Sequence, residues 1–269
     1  MNICKKKEFG PVTAYQLGYS PIGPPLMSVH MYVVDTVVID TAQRNMRAEV
    51  IGVLKDHAAI EWILLTHYHE DHSGNASQIH ALFSAEVLGH ALTAEKMNGE
   101  LKILPYQHLV WGKAEQVKVA PLPDCIDTGR YRFIPVHTPG HSKDHTVYLE
   151  TRNGWLFSGD LYLGDHIKYF RSDEKFSDQV NSLKTVLALD FNALFCGHHP
   201  IPEDGKSRLA AKLAFLEDFY GKVTDLRLKG LSESEIIARL DLKQDRLVKW
   251  VTLGNACFAN MVRSVLMAS

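Results

Sequence analysis

Apolar residues fall in short runs separated by turn-forming ones. Residues 12–19 and 29–39 read as strands, parted by the turn-rich Ser20-Pro21-Ile22-Gly23-Pro24-Pro25. Met46, Val50, Val53 and Leu54 then follow at helical spacing within 44–57. Glu61-Trp62-Ile63-Leu64-Leu65-Thr66 reads as a buried strand that stops at a polar, histidine-rich turn. A helix over 76–83 and a strand over 85–89 come next, while 100–112 is ambiguous. Strands are expected at 116–119, 131–136, 146–150 and 155–158, then a helix at 179–189 and a strand at 193–196. Strand clusters with interleaved helices predict a layered α/β or α+β domain.

The character changes near residue 206. Leu209, Leu213, Leu216, Tyr220 and Val223 step by four, three, four and three, one face of an amphipathic helix. Gly230 stops it, Ser232 and Glu235 form a capping box for a helix at 236–240, and a last helix is expected at 256–266. Two units are therefore expected, a main domain over 1–205 and a helical extension over 206–269. The extension either completes the core and covers a sheet edge or forms a wall of a pocket. The 20–25 loop is expected to border the pocket mouth.

Composition narrows the function class. With 269 residues, 46% hydrophobic, the chain is neither disordered nor fibrous. Lys and Arg total 29 against 31 Asp and Glu, so a net charge of −2 provides no electrostatic handle on nucleic acid or an anionic membrane. No apolar run approaches the ~18–20 residues of a membrane helix. The basic N-terminus is not followed by the apolar stretch of a secretory signal. Cys4, Cys125, Cys196 and Cys257 form no CxxC pair, which argues against a disulfide framework or zinc knuckle and for a reducing, cytoplasmic setting.

The sharpest chemical feature is Thr66-His67-Tyr68-His69-Glu70-Asp71-His72, an H-x-H-x-D-H pattern directly after a buried strand. Imidazole and carboxylate hold zinc and other borderline divalent cations. Alternate residues leaving a strand end point the same way, so His67 and His69 can share one metal while Asp71 and His72 turn toward a second point. The alternative is a solvated polar turn.

This segment resembles the signature of the metallo-β-lactamase superfamily, and four further segments match that family in order. Val38-Ile39-Asp40-Thr41 resembles its early strand ending in a supporting aspartate. Thr138-Pro139-Gly140-His141, Phe157-Ser158-Gly159-Asp160 and Cys196-Gly197-His198-His199-Pro200 resemble the segments bearing a third histidine, a bridging aspartate and a last histidine. The resemblance covers about residues 12–200. It implies a four-layer αβ/βα sandwich with a C-terminal helical extension. It also implies two divalent cations, zinc first, with iron or manganese as alternatives. One is held by His67, His69 and His141, the other by Asp71, His72 and His198, and Asp160 bridges them. Such a pair lowers the pKa of a shared water toward ~7, and the hydroxide serves as nucleophile, with Asp71 as ligand and catalytic base.

Neighbouring residues carry weaker readings. Asp40 is either a partner orienting a ligating histidine or a strand-end surface residue. His145 resembles a second histidine of the glyoxalase II branch, although Asp144 stands where that branch has glycine. Lys168 and Tyr169 lie where glyoxalase II-like enzymes grip a thioester, and an amphipathic strand or loop explains them equally well. Cys196 reads as a buried small hydrophobe.

The resemblance implies a small-molecule hydrolase of esters, thioesters or lactones. Other members are mononuclear iron persulfide dioxygenases, and nucleases or phosphodiesterases, which need clustered Lys and Arg for phosphate. Oligomeric state and substrate are not legible.

Overall fold

The computed structural model describes residues 1–25, 27–240 and 246–267. The lysine-bearing N-terminus, for which no element is expected, forms an edge strand, β1 (Asn2–Phe9), antiparallel to β2 (Val12–Tyr19). Exposed Lys5, Lys6 and Lys7 on that edge discourage pairing with another chain. The 29–39 run is a hairpin rather than one strand. β3 (Val29–Val34) and β4 (Val37–Ile39) turn at Asp35, whose φ is +56°. β5 (Trp62–Leu64), β6 (Glu86–Gly89) and β7 (Ala120–Pro121) continue the sheet in parallel, in the order β1 to β7. The second sheet runs β12-β11-β10-β9-β8, from β8 (Ile126–Asp127) through β9 (Arg132–His137), β10 (Thr146–Glu150) and β11 (Trp155–Gly159) to β12 (Ala193–Cys196). Only the β11–β12 pair is parallel there.

Side-chain alternation along these strands builds four layers. Tyr32, Val34, Ile39 and Leu64 face Phe133, Tyr148, Phe157 and Phe195 of the other sheet. Tyr32 meets Phe157 edge-on with ring centroids 5.5 Å apart, and Phe157 stacks on Phe195 at 5.2 Å. Met31, Val33, Val38 and Ile63 point the other way, onto α1 (Arg47–Leu54), α3 (Ala76–Phe83) and α4 (Ala91–Asn98). On the far side Val147, Leu156 and Leu194 pack against α6 (Phe176–Leu187), α7 (Gly205–Leu228), α8 (Glu233–Leu240) and α10 (Phe258–Leu266). The C-terminal helices thus share a core with the second sheet. The expected αβ/βα sandwich is the observed architecture.

Local differences have physical causes. Residues 116–119 form no strand: Val117 and Val119 are buried at alternate positions, but Val117 N–H donates to Met97 C=O across a loop. The buried stripe of α7 is Leu209, Lys212, Leu216, Phe219 and Val223, while Tyr220 is exposed. A charged residue on the inner face shifts the stripe from the one apolarity alone selects. The helix expected at 179–189 begins three residues earlier, at Phe176. α5 (Pro105–Val110) occupies the ambiguous stretch, and α9 (Arg246–Val251) was not expected. Ser232 and Glu235 do cap α8, with Ser232 N–H donating to Glu235 Oε2 at 2.8 Å. No described helix is long and apolar enough to cross a membrane.

Lys212 donates to the Leu161 carbonyl at 2.5 Å from within an apolar core. Burial pushes its ammonium down to about 8, below the ordinary 10.5. Between those values the unfolded chain binds the proton more tightly, so stability rises with pH across that window. Lys212→Met is expected to raise the unfolding free energy by about 2 kcal/mol at pH 7, an advantage that shrinks toward pH 10.5. Urea titrations at both pH values check this, and a less stable variant at pH 7 would contradict it.

Candidate metal centre

The chain ends of the central strands converge on one edge of the sandwich, where neighbouring parallel strands open a crevice. Asp40 follows β4. Thr66, His67 and His69 follow β5 and lead into α2 (Glu70–Ser73), which carries Asp71 and His72. His141 and His145 sit on the β9–β10 connection, Asp160 follows β11, and His198 follows β12. Two backbone features permit this crowding. Gly197 passes so close that a Cβ there would lie 2.6 Å from Asp160 Oδ1 and 2.8 Å from His72 Cε1. Asp40 holds a left-handed φ of +57°, a strained conformation that aims its carboxylate inward.

The seven residues expected as ligands come together, all of them buried. His67 Nε2 lies 2.8 Å from His69 Nδ1, and His141 Nε2 lies 3.1 Å from the same atom. Asp160 sits between two groups. Its Oδ2 is 3.4 Å from His141 Nε2, and its Oδ1 is 3.2 Å from His72 Nε2 and 3.5 Å from His198 Nε2. Asp71 Oδ2 closes the second group, 3.8 Å from His72 Nε2 and 3.9 Å from His198 Nε2. His198 rather than the exposed His199 turns inward.

The outward nitrogens show which atoms are free to bind. The Thr66 hydroxyl donates to Asp40 at 2.8 Å, so it accepts from His67 Nδ1–H at 3.0 Å. His72 Nδ1–H donates to Asp40 Oδ2 (2.7 Å) and His198 Nδ1–H to the Ser28 carbonyl (2.7 Å), while His141 Nδ1 faces the Glu174 carboxylate, 3.1 Å from Oε1. Each of these rings therefore turns an Nε2 lone pair inward. His72 Nε2 and Asp160 Oδ1 are close but too poorly aligned to hydrogen-bond, and both are buried without a partner. Converging lone pairs repel one another unless a cation sits among them. Donors on a tetrahedral zinc with ~2.0 Å bonds lie about 3.3 Å apart, close to the spacings here. His67, His69 and His141 form one group of ligand atoms within 4.8 Å of one another; Asp71, His72 and His198 form another. A third, overlapping group joins His67, His72 and Asp160, and the donor set fits divalent metal.

Electrostatics agrees. Burial, then the neighbouring imidazoles His72 and His141, holds His67 well below the ordinary histidine range. Burial and the Arg171 guanidinium do the same for His69. At His72 burial also opposes charge, but Asp160, Asp40 and Asp71 overcome it and push the imidazole up. A cavity edge that attracts a proton this strongly suits a metal ion.

Supporting residues divide into those expected and those missed. Asp40 contacts Thr66 and His72. His145 accepts from the Asp160 N–H at 3.1 Å while its Nδ1 pairs with Thr138 Oγ1 at 2.8 Å. Asp144, the departure from glycine, accepts from Tyr68 N–H, Thr93 Oγ1 and Ser142 Oγ, which pins the His141 connection to the β5 loop. Lys168 and Tyr169 line a cavity of about 500 Å³ beside the cluster. Met27 lines it too, whereas none of residues 20–25 does, so the expected border lies just downstream. Sequence reasoning missed Glu70, whose carboxyl burial pushes up to about 7, and Glu174, which no motif marks. Glu174→Ala is expected to weaken cation binding ten- to hundredfold in chelator-competition titrations, and Glu174→Gln to restore most of it. Unchanged affinity in the alanine variant would contradict the contact's role.

The sequence profile of the Metallo-beta-lactamase superfamily matches residues 24–198. A Beta-lactamase-like protein 2 homolog of Drosophila melanogaster is 29% identical over 70% of this chain and 64% of its own length, so the chain spans less than two thirds of it. A hydroxyacylglutathione hydrolase of Salmonella typhi is 28% identical over 72% of each chain. The crystal structure of a metallo-beta-lactamase family protein from Thermus thermophilus superposes with a TM-score of 0.63 at 20% identity. It covers 95% of this chain and 91% of that one, so the shared fold extends into the C-terminal helices.

Proposed function

Because this chain belongs to the metallo-beta-lactamase superfamily, we propose that it is a metal-dependent hydrolase of acyl thioesters or related esters. His67, His69 and His141 would hold one divalent cation, zinc, and Asp71, His72 and His198 a second, with Asp160 serving both groups. The observation that carries this reading is the inward turn of the histidine lone pairs while Asp40, Thr66, Glu174 and Ser28 occupy the outward nitrogens. Four of the five histidines, drawn from both triads, are held in this way, His69 alone leaving its outward Nε2 without a hydrogen-bond partner, and this favours a binuclear centre over a mononuclear iron site. The similarity to a hydroxyacylglutathione hydrolase directs the proposal toward acyl–sulfur bonds.

Bound cations would polarise the acyl oxygen and acidify a water. The protein's own residues do the rest. Asp71, whose Oδ2 lies 3.8–3.9 Å from its two imidazole neighbours, would orient the attacking water and take its proton. His145 and Gly197 fix the Asp160 carboxylate, the first by hydrogen bond to its backbone and the second by leaving room for it. Lys168, exposed at the cavity, would meet an anionic leaving group.

The test is a panel of thioesters, aryl esters, homoserine lactones and bis-p-nitrophenyl phosphate, run on protein of measured metal content. Turnover of thioesters or esters that scales with metal content and vanishes with chelator supports the proposal. Activity on the phosphodiester alone would overturn it.

A further inference from the structure

Resting on that hydrolase reading, we propose that the cavity accepts an apolar acyl group, a chain of about six to ten carbons or an aryl group of similar bulk, in preference to a short hydroxyacyl group. Away from the His/Asp cluster the wall is largely apolar, interrupted by His166, Lys168, Arg171 and Thr252. Tyr106 and Trp111 come from α5 and its end, Leu163 and Ile167 from the segment after Asp160, and Val248 and Ala256 from α9 and the turn beyond it. Leu163 and Met27, 38% and 47% exposed, carry the apolar lining to the surface.

Several polar groups on this wall are already engaged. Thr252 Oγ1 donates to the Val248 carbonyl at 2.8 Å and accepts from Ala256 N–H at 3.2 Å. Tyr106 OH accepts from Asn255 Nδ2 at 3.0 Å. Arg171 spends Nε and Nη2 on Asp173 at 3.0 and 3.2 Å. An acyl hydroxyl entering here would leave water for few new partners, whereas methylenes lose nothing.

The wall is also preformed. Asn255 joins its three segments: besides bonding Tyr106, its Oδ1 accepts from Ser172 Oγ at 2.8 Å and its carbonyl from Ser172 N–H at 2.9 Å. Arg171 and Ala256 pair as an isolated β-bridge beside it. A rigid apolar wall loses little entropy on binding, so burial of each methylene passes into affinity and turnover.

The experiment uses the full chain loaded with zinc and N-acetylcysteamine thioesters of acetyl, lactoyl, butyryl, hexanoyl and octanoyl groups. Full burial of a methylene corresponds to about a fourfold gain. We expect kcat/KM to rise at least thirtyfold from acetyl to octanoyl, with lactoyl below butyryl, and Val248→Asp or Trp111→Ala to flatten the series. In parallel, calorimetry on metal-stripped protein follows S-ethyl to S-octyl N-acetylcysteamine thioethers, whose affinity is expected to climb about tenfold or more. Thioester turnover that is flat with chain length, or greatest for lactoyl, overturns the inference while the hydrolase reading stands. If no thioester is turned over, that reading falls and the thioethers alone decide: rising affinity supports the apolar cavity, and constant affinity overturns it.

Discussion

Asp160→Ala is expected to lower metal-dependent turnover at least a thousandfold, about 4 kcal/mol of transition-state stabilisation, and to leave no more than one cation per chain. The reason is geometric. Asp160 is the one side chain whose two oxygens face different groups, Oδ2 toward His141 and Oδ1 toward His72 and His198. Despite burial, the neighbouring His72 and His198 hold its carboxyl well below the usual range, so it remains an anion between the two groups. Without it the two groups lose their common donor and a shared negative charge. Thermal melts of the stripped variant separate this loss from misfolding, since removal of a buried charge need not unfold the chain. A loss of less than tenfold, with two ions still bound, would contradict the bridging role.

Asp40→Ala is expected to be the most damaging change among residues that touch no cation. Its carboxylate accepts from Thr66 N–H at 2.8 Å, from the Thr66 hydroxyl at 2.8 and 3.0 Å, and from His72 Nδ1–H at 2.7 Å. Removing it strands three buried donors, each costing about 1–3 kcal/mol. Alanine also tolerates the +57° φ less readily than aspartate does. We expect a loss of about 4 kcal/mol in unfolding free energy. Asp40→Asn preserves volume but turns an amide donor toward Thr66 or His72. It is expected to fold and to bind cations ten- to hundredfold more weakly. Urea denaturation and metal titration read the two effects separately. Wild-type stability in the alanine variant would show that Thr66 and His72 are held by something else.

Legibility in the sequence followed range. The residues of the His/Asp cluster lie at strand ends within five short segments that resemble, in order, those of the metallo-β-lactamase superfamily. His67 through His72 and Phe157 through Asp160 are of this kind. Glu174 is not: it reaches His141 through a loop that precedes α6, and only tertiary packing brings the two together. The same holds for α5 and the turn beyond α9, which are far apart in sequence and meet through the Tyr106–Asn255 hydrogen bond. The β1 strand escaped notice because an exposed edge needs no apolar alternation. The α7 stripe was misread at Lys212 because charge normally marks the solvent face, and here the ammonium finds a carbonyl inside. The C-terminal helices combine the two functions that sequence posed as alternatives. α7, α8 and α10 complete a core, while α9 and its turn wall the cavity.

Direct observation of the ions decides the central claim. Crystals of zinc-loaded protein, measured at the zinc absorption edge for anomalous scattering with elemental analysis of the same sample, should show two peaks per chain about 3.5–4 Å apart. One peak should lie within bonding distance of His67, His69 and His141, the other within reach of Asp71, His72 and His198, and Asp160 should touch both. A single ion per chain, or a pair that leaves His198 and Asp71 uncoordinated, would contradict the binuclear centre from which the proposed chemistry follows.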